Sequence, residues 1–380
     1  MSTINTIPVN IVIVGATGAV GLELMKLLEG NKYFHYDTLR ILASKSSVGI
    51  PYTINNKLYK VEELCTDSFK NSPANSVNIA IFSIDSALSE IYTQFAVKAS
   101  YTVIDNSSAF RMRSDVPLVI PEVNPETLFK NIGIISNPNC STIIMLTVLH
   151  NLYKVNKIKK IDITTFQAVS GAGIRAQDEL QSQVHSYVHR TPPDTTVFGR
   201  ECLFNCFSHD SEVDTVSGFN GEEIKMINET QKILDDESIL VNPTCIRVPT
   251  IRSHLEAIQI EFEKDTSVEE LYALLNDAQG VEICNDVKNN RFPEPILSAN
   301  KNDILVGRIR NRYQTTNENG YVDKRNFLLL VSGDQLLKGA ALNAVQIAQL
   351  LIESKLSTKR VLESDKVCTD VNKKRQKTLN

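Results

Sequence analysis

The sequence predicts an α/β protein in which a doubly wound parallel sheet is joined to a second, α+β unit with a mixed sheet. Three observations carry this. Val9-Asn10-Ile11-Val12-Ile13-Val14 is a continuous, mostly β-branched run, as in a parallel strand buried on both faces. It ends in a glycine-rich turn, Gly15 to Gly21, followed by Leu22 to Leu28 with helical apolar spacing and by a second strand at Leu39 to Ala43, which makes a βαβ unit. From Lys160 onward the regular alternation gives way to strands with a different pattern.

The first unit continues with strands at Val77 to Phe82 and Tyr101 to Ile104 around a helical stretch at Leu88 to Ala99, and is expected to occupy residues 1–139. The second, expected over 140–334, takes its strands from Ile161 to Ala168, Ser238 to Val248, His254 to Phe262 and Asn326 to Val331. A last helix, Gln335 to Glu353, is too apolar to stand alone, and Gly339-Ala340-Ala341 gives it a small-residue face. It is expected to return to the first unit and complete it over 335–356. From 357 to 380 the chain turns polar and basic and reads as a disordered tail.

With 380 residues, 42% hydrophobic and 22% charged, the chain can build two cores. Its net charge of −4, with basic residues spread along its length, gives no footprint for nucleic acid or a membrane surface and points to small-molecule partners. The run Val9 to Val14 is too short for a signal-peptide core or a membrane span. Seven cysteines, an odd number without framework spacing, suit free thiols in a reducing compartment, so a cytoplasmic location is expected. Cys202, Cys206 and His209 lack a fourth ligand at zinc-like spacing, and no metal is expected.

Gly15-Ala16-Thr17-Gly18-Ala19-Val20-Gly21 lies between a strand and a helix, where glycines allow a tight turn and let a pyrophosphate reach the N–H groups that open the helix. That context predicts a Rossmann-type dinucleotide site on Gly15, Thr17, Gly18, Ala19 and Val20. After the second strand comes Ser44-Lys45-Ser46-Ser47, hydroxyls and a lysine without the carboxylate that would repel a 2′-phosphate. NADP is therefore expected, with NAD use left open.

Ser136-Asn137-Pro138-Asn139-Cys140-Ser141-Thr142 precedes the apolar run Ile143 to Leu149, which puts Cys140 at the start of a helix. A free thiol titrates near ~8.5, and a helix N-terminus with a nearby imidazole is expected to lower this and favour the nucleophilic thiolate. Isolated free cysteines are more often inert core residues. The neighbouring motifs set this one apart.

SNPNCST resembles the nucleophile motif of the aspartate-semialdehyde dehydrogenase family, and the resemblance extends over about residues 8 to 355. Gln167, 27 residues on in Phe166-Gln167-Ala168-Val169-Ser170-Gly171-Ala172-Gly173, looks like that family's substrate-amide residue, with Ser170 and Gly171 in its nicotinamide loop. Arg247 stands seven residues before His254, as in the family's substrate-carboxylate clamp and acid–base histidine. The side chains suit those roles, since guanidinium can grip a carboxylate with two hydrogen bonds and imidazole exchanges protons near neutral pH. Asn106 to Met112 resembles the phosphate-binding stretch, with Arg111 on the phosphoryl oxygens. Gly221-Glu222-Glu223-Ile224-Lys225 resembles the segment in which Glu222 meets the substrate amino group and Lys225 assists Arg111. Gly333 to Ala341 resembles the closing motif, with Gln335 reaching the nicotinamide end. One departure is Ser46, which stands where the family usually has arginine.

The resemblance implies a glyceraldehyde-3-phosphate dehydrogenase-like plan whose second unit carries both catalysis and dimerisation, in a homodimer or homotetramer. It implies reversible NADPH-dependent reduction of L-aspartyl 4-phosphate to L-aspartate 4-semialdehyde through a Cys140 thioester. That step feeds lysine and diaminopimelate, threonine, methionine and isoleucine biosynthesis. His254 would exchange protons, and N–H groups at the helix start would hold the oxyanion. The rival readings are N-acetyl-gamma-glutamyl-phosphate reductase, whose cysteine motif usually reads Gly-Cys-Tyr-Pro, a phosphate-independent aldehyde dehydrogenase, and a non-catalytic dinucleotide-binding sensor.

Overall fold

The computed structural model describes residues 7–70, 72–312 and 323–357. Most of the basic tail expected over 357–380 lies outside them.

The first half contains β1 (Val9–Val14), α1 (Ala19–Leu28), β2 (Thr38–Ala43), the hairpin β3 (Pro51–Ile54) and β4 (Lys57–Lys60), and β5 (Glu62–Glu63). It continues through β6 (Val77–Phe82), α2 (Ser86–Lys98), β7 (Thr102–Asp105) and β8 (Ile134–Ser136). Six of these strands form one all-parallel sheet in the order β5-β2-β1-β6-β7-β8. Every residue of β1 is buried because both faces of the sheet are covered. Val9, Ile11 and Ile13 pack with Leu24 of α1 and with Val345, Ile347 and Leu351 near the C-terminus, while Val12 and Val14 pack into a second cluster with Ala96 of α2. The last helix thus closes one face of the first sheet.

The chain then enters α3 (Cys140–Val155), β9 (Ile158–Gln167), α4 (Ile174–His189), β10 (Phe207–Ser208) and α5 (Gly221–Leu234). It goes on through β11 (Leu240–Arg247), β12 (His254–Phe262), α6 (Val268–Asn276), β13 (Val281–Ile283), β14 (Ile304–Asn311) and β15 (Asn326–Gly333). A seven-stranded mixed sheet has the order β10-β11-β9-β12-β15-β14-β13. Alternation along β12 sends His254, Glu256, Ile258, Ile260 and Phe262 to the buried face, where Ile258, Ile260 and Phe262 meet Ile143 to Leu149 of α3. The other face carries exposed Ala257 and half-buried Leu328 and Leu330.

The hairpin β3–β4, the short strands β5, β8, β10 and β13 and the helices α4 and α6 are not legible as elements in the sequence, and two further features depart from what it predicts. The closing segment is not one regular helix: it begins with a π-turn at Leu337–Ala341 and becomes α-helical over 342–357. The π-turn is held by Lys338, whose buried ammonium contacts Glu122, Asn343 and Gln346, and it lays Gly339 against Cys140. The strand β14 also escaped the sequence reading, because Gly307, Arg308 and Arg310 interrupt its apolar pattern.

Candidate active site

Between the two sheets lies a cleft of about 820 Å³. One wall carries Thr17, Gly18, Ala19 and Val20; the floor and far wall carry Cys140, Arg111, Gln167, Glu222, Lys225 and Arg247; Ser170, Gly171 and Gln335 lie between. Residues separated by more than two hundred positions in sequence thus share one cavity. Arg252 ties the walls together, bonding Glu23 of α1 at 2.8 Å and Asp334 at 2.6 Å.

The glycine loop fits a dinucleotide. Gly15 has φ +86°, and a Cβ there would lie 2.1 Å from the Ser83 carbonyl oxygen; one on Gly21 would lie 2.2 Å from the Gly15 oxygen. Both positions therefore require glycine for the turn and for close packing of the helix. Gly18, at the N-cap of α1, provides no side-chain cap, so the opening N–H groups of α1 are left for an anion in the cleft. Ser44, Ser46 and Ser47 do not line the cleft wall but sit at the end of β2, where Ser47 Oγ meets Thr17 Oγ1 at 3.3 Å and Ser44 Oγ meets Ser46 Oγ at 3.0 Å. Gln335 spends its amide internally, accepting from Ser253 N–H at 2.8 Å and donating to Ser170 Oγ.

Cys140 is the first residue of α3, as its motif indicated. The Asn139 side chain caps the helix by accepting from the N–H groups of Ser141 and Thr142 at 3.0 and 3.3 Å. Those two donors are therefore engaged and are not available to an oxyanion. Asn139 is itself held by Glu229, which accepts its N–H at 2.6 Å, and by Glu222, which accepts from its side-chain amide at 2.7 Å. Glu229 carried no sequence motif, yet it also accepts from Arg111 at 3.0 Å.

The expected acidic shift of the thiol does not occur. Burial pushes the Cys140 thiol up to about 12, Glu222 and Glu256 adding to the push while Arg111 and the Ser141 N–H oppose it. The helix end acts over one turn, whereas removal of water from the sulfur acts on the whole charge. Cys140 nonetheless keeps part of its surface open to the cleft. His254 Nε2 lies 3.5 Å from Sγ, and Nδ1 accepts from Ala168 N–H at 3.0 Å. Burial, reinforced by the Arg247 charge, lowers the ring to about 3. The resting pair is thus a thiol and a neutral imidazole. Ser253, immediately before His254, is buried with φ +72°, a strained backbone that fixes the entry to β12.

Gln167 is buried at the end of β9 and donates to Ser141 Oγ at 2.9 Å and to Glu222 at 3.3 Å. Glu222 is held near a pKa of about 2: burial alone would raise it, but Lys225, His209 and Asn139 outweigh that cost. Lys225 reaches its Oε2 at 3.2 Å. Arg111 bonds the carbonyls of Asn137 at 2.9 Å and Asn106 at 2.7 Å besides Glu229.

Arg247 ends β11 and is 2% exposed, with its guanidinium over the Phe198 ring at 5.6 Å. It donates to Ala168 O at 2.9 Å, to His209 Nε2 at 2.9 Å and, through Nε and Nη2, to Asp210 Oδ1 at 3.0 and 2.6 Å. Neither His209 nor Asp210 belongs to a motif legible in the sequence, in which His209 stands only near Cys202 and Cys206. The sole sequence signal was a polar run after β10, and pairing of Phe207 with Arg247 is what brings it to the guanidinium. Among the described residues no group of His, Cys, Asp and Glu is placed to hold a metal ion.

Comparison with known proteins agrees with this geometry. Residues 10–131 match the semialdehyde dehydrogenase NAD binding domain, and residues 149–338 the semialdehyde dehydrogenase dimerisation domain. The aspartate-semialdehyde dehydrogenase of Campylobacter jejuni is 42% identical over 351 residues, covering 91% of this chain and 98% of its own. That of Prochlorococcus marinus is 38% identical over 345 residues, covering 91% and 96%. The crystal structure of aspartate semialdehyde dehydrogenase II from Vibrio cholerae, complexed with ASA, superposes with a TM-score of 0.83 at 38% identity, covering 91% of this chain and 98% of that one. On these grounds the chain belongs to the aspartate-semialdehyde dehydrogenase family.

Proposed function

We propose that the protein is an NADP-linked aspartate-semialdehyde dehydrogenase that interconverts L-aspartyl 4-phosphate and L-aspartate 4-semialdehyde through a thioester on Cys140. The observation that carries this reading is the placement of Cys140 Sγ 3.5 Å from His254 Nε2 in a cleft shared with Gln167, Arg247, Arg111 and the glycine loop. Sγ attacks the acyl carbon, the carbon–oxygen bond to phosphate breaks, and the thiol proton leaves with the phosphate as hydrogen phosphate. Arg111 and Lys225 supply positive charge at the departing group. The Cys140 N–H and His254 Nε2–H face the developing oxyanion, and Arg247 holds the α-carboxylate while Gln167 orients the chain. A nicotinamide dinucleotide bound along the glycine loop would supply the hydride that takes the thioester to the aldehyde level. The Ser44 to Ser47 stretch favours the 2′-phosphorylated cofactor, since no carboxylate lies within it.

In this reading residues 1–139 with 335–356 form the cofactor half and 140–334 the catalytic and dimerisation half. The open face of the mixed sheet, with Ala257, Leu328 and Leu330, supports a homodimer or a homotetramer built from it. The described cysteines are all unpaired, which suits the cytoplasm.

The decisive experiment is oxidation of aspartate semialdehyde with NADP, with and without phosphate and alongside NAD. Phosphate-dependent NADPH production is expected. Equal rates without phosphate would point to a phosphate-independent dehydrogenase, and preference for N-acetylglutamate semialdehyde to the N-acetyl-gamma-glutamyl-phosphate reductase alternative. Tight NADP binding without turnover of either would revive the sensor.

A further inference from the structure

Arg111 and Cys140 come from separate segments, and a third residue joins them from behind. Arg111 lines the cleft and donates from Nε to Asn137 O at 2.9 Å, from Nη2 to Asn106 O at 2.7 Å and from Nη1 to Glu229 Oε1 at 3.0 Å. A guanidinium has about five N–H groups in a fixed fork, so these bonds orient it and still leave donors for a phosphoryl oxygen. Glu229 itself is fully buried, and the cleft is lined by other residues of α5, Glu222 and Lys225. Its second oxygen, Oε2, accepts the N–H of Asn139, the residue before the nucleophile, at 2.6 Å. One turn further along α5, Lys232 Nζ donates to the carbonyls of Arg111, Arg113 and Val116 at 2.7, 2.6 and 2.8 Å. The helix thus grips the Arg111 segment twice and the Cys140 loop once, and Glu229 alone bonds both.

We propose that Glu229 is a positioning residue that sets the separation between the phosphate held by Arg111 and the Cys140 sulfur, so that acyl transfer between sulfur and phosphate depends on it while hydride transfer does not. This rests on the proposed aspartate-semialdehyde dehydrogenase activity. In the oxidative direction an oxygen of hydrogen phosphate bonds to the thioester carbon, the carbon–sulfur bond breaks, and the phosphate proton passes to the sulfur. That step needs the attacking oxygen at about 3–3.5 Å from the carbon, and the oxygen goes where the guanidinium holds it. Hydride transfer takes place between the cofactor and the carbon already bonded to sulfur, without phosphate. A bridge from Arg111 to the Cys140 loop therefore matters to the first step and leaves the second alone.

The test follows oxidation of aspartate semialdehyde by NADP in wild type, Glu229→Gln and Glu229→Asp. An amide has a single acceptor oxygen, so Glu229→Gln keeps the shape of the side chain and breaks one end of the bridge. Rapid mixing without phosphate reads hydride transfer as a single turnover of NADPH, and steady-state rates at varied phosphate read acyl transfer. Glu229→Gln is expected to raise KM for phosphate about tenfold or more, with the single-turnover rate within about twofold of wild type. Glu229→Asp keeps the charge and both oxygens but withdraws them by one methylene, and should show the same split to a smaller degree; it carries the test if Glu229→Gln does not fold. A single turnover slowed as much as the steady rate would show that Glu229 only supports the fold, and an unchanged KM for phosphate would show that the bridge does not place the phosphate; each overturns the proposal. A wild-type protein that makes no NADPH from aspartate semialdehyde overturns the proposed activity itself, an outcome separate from any split between the two steps.

Discussion

The main-chain N–H of Ala168 donates to Nδ1 of His254 at 3.0 Å, which makes Nε2 the proton-bearing nitrogen of the neutral ring and turns that proton toward Cys140. His254 is thereby set up as a hydrogen-bond donor to the sulfur, and protonating it would oppose two N–H groups at Nδ1. The stability of the fold should register this. The folded pKa of about 3 lies below the unfolded value near ~6.5, so the unfolded chain binds the extra proton between those limits and stability falls as pH drops through that window. Between pH ~6.5 and ~5 the wild type should lose about 2 kcal/mol more than His254→Asn, measured by urea unfolding. Parallel pH curves for the two proteins would mean that the ring is not held neutral.

The thiol of Cys140 should behave as a weak acid in the free enzyme. Because burial pushes it to about 12, its alkylation by iodoacetamide should keep accelerating above pH ~9, where an ordinary cysteine has levelled off. Mass spectrometry against Cys140→Ser assigns the modified site among the other cysteines. The same variant should bind NADP normally and lose nearly all turnover, since a serine hydroxyl is a far poorer nucleophile. A plateau near pH ~8.5 would show that the helix end prevails over burial.

Much of this site could be read from the chain because its main residues sit in short segments: Cys140 beside its cap Asn139, Gln167 at a strand end, and Arg247 and His254 flanking one turn between β11 and β12. What could not be read depends on tertiary approach. Asp210 reaches Arg247 only through the β10–β11 pairing, and Glu229 binds both Arg111 and the Cys140 loop from a helix face that looks like any other. The acidity of Cys140 was misjudged for a related reason, because sequence displays the helix start but not the water excluded around the sulfur. The π-turn was hidden because the apolar spacing of 335–353 suits a regular helix, whereas Gly339 is placed by Lys338 and Glu122.

Gly339 offers a steric test of that turn. A Cβ there would lie 2.9 Å from the Cβ of Cys140, closer than carbon atoms tolerate. Because Cys140 starts α3 and cannot shift without moving its cap, Gly339→Ala should displace the Cys140 side chain. Overpacking of this kind costs about 1–3 kcal/mol. The variant should fold with a lowered Tm, keep its NADP affinity and lose about tenfold or more in kcat, since small misplacements of a reacting group are costly. Unchanged kcat would mean that the π-turn yields without consequence for Cys140.

Ser46 decides how firmly the cofactor reading holds. It stands exposed at the end of β2, its hydroxyl 3.0 Å from that of Ser44, in the position where family members usually carry arginine. A hydroxyl can donate one hydrogen bond to a 2′-phosphate, while a guanidinium adds full charge and a fork of donors. Ser46→Arg should therefore raise the ratio of kcat/KM for NADP over NAD by about tenfold, with the gain in KM for NADP and kcat unaltered. Rising salt should erode that gain, because the new pair is solvent-exposed and screened. If the ratio does not move, the 2′-phosphate does not approach this loop, and discrimination between the cofactors has to be sought on the glycine-loop side of the cleft, at Thr17 and its contact with Ser47.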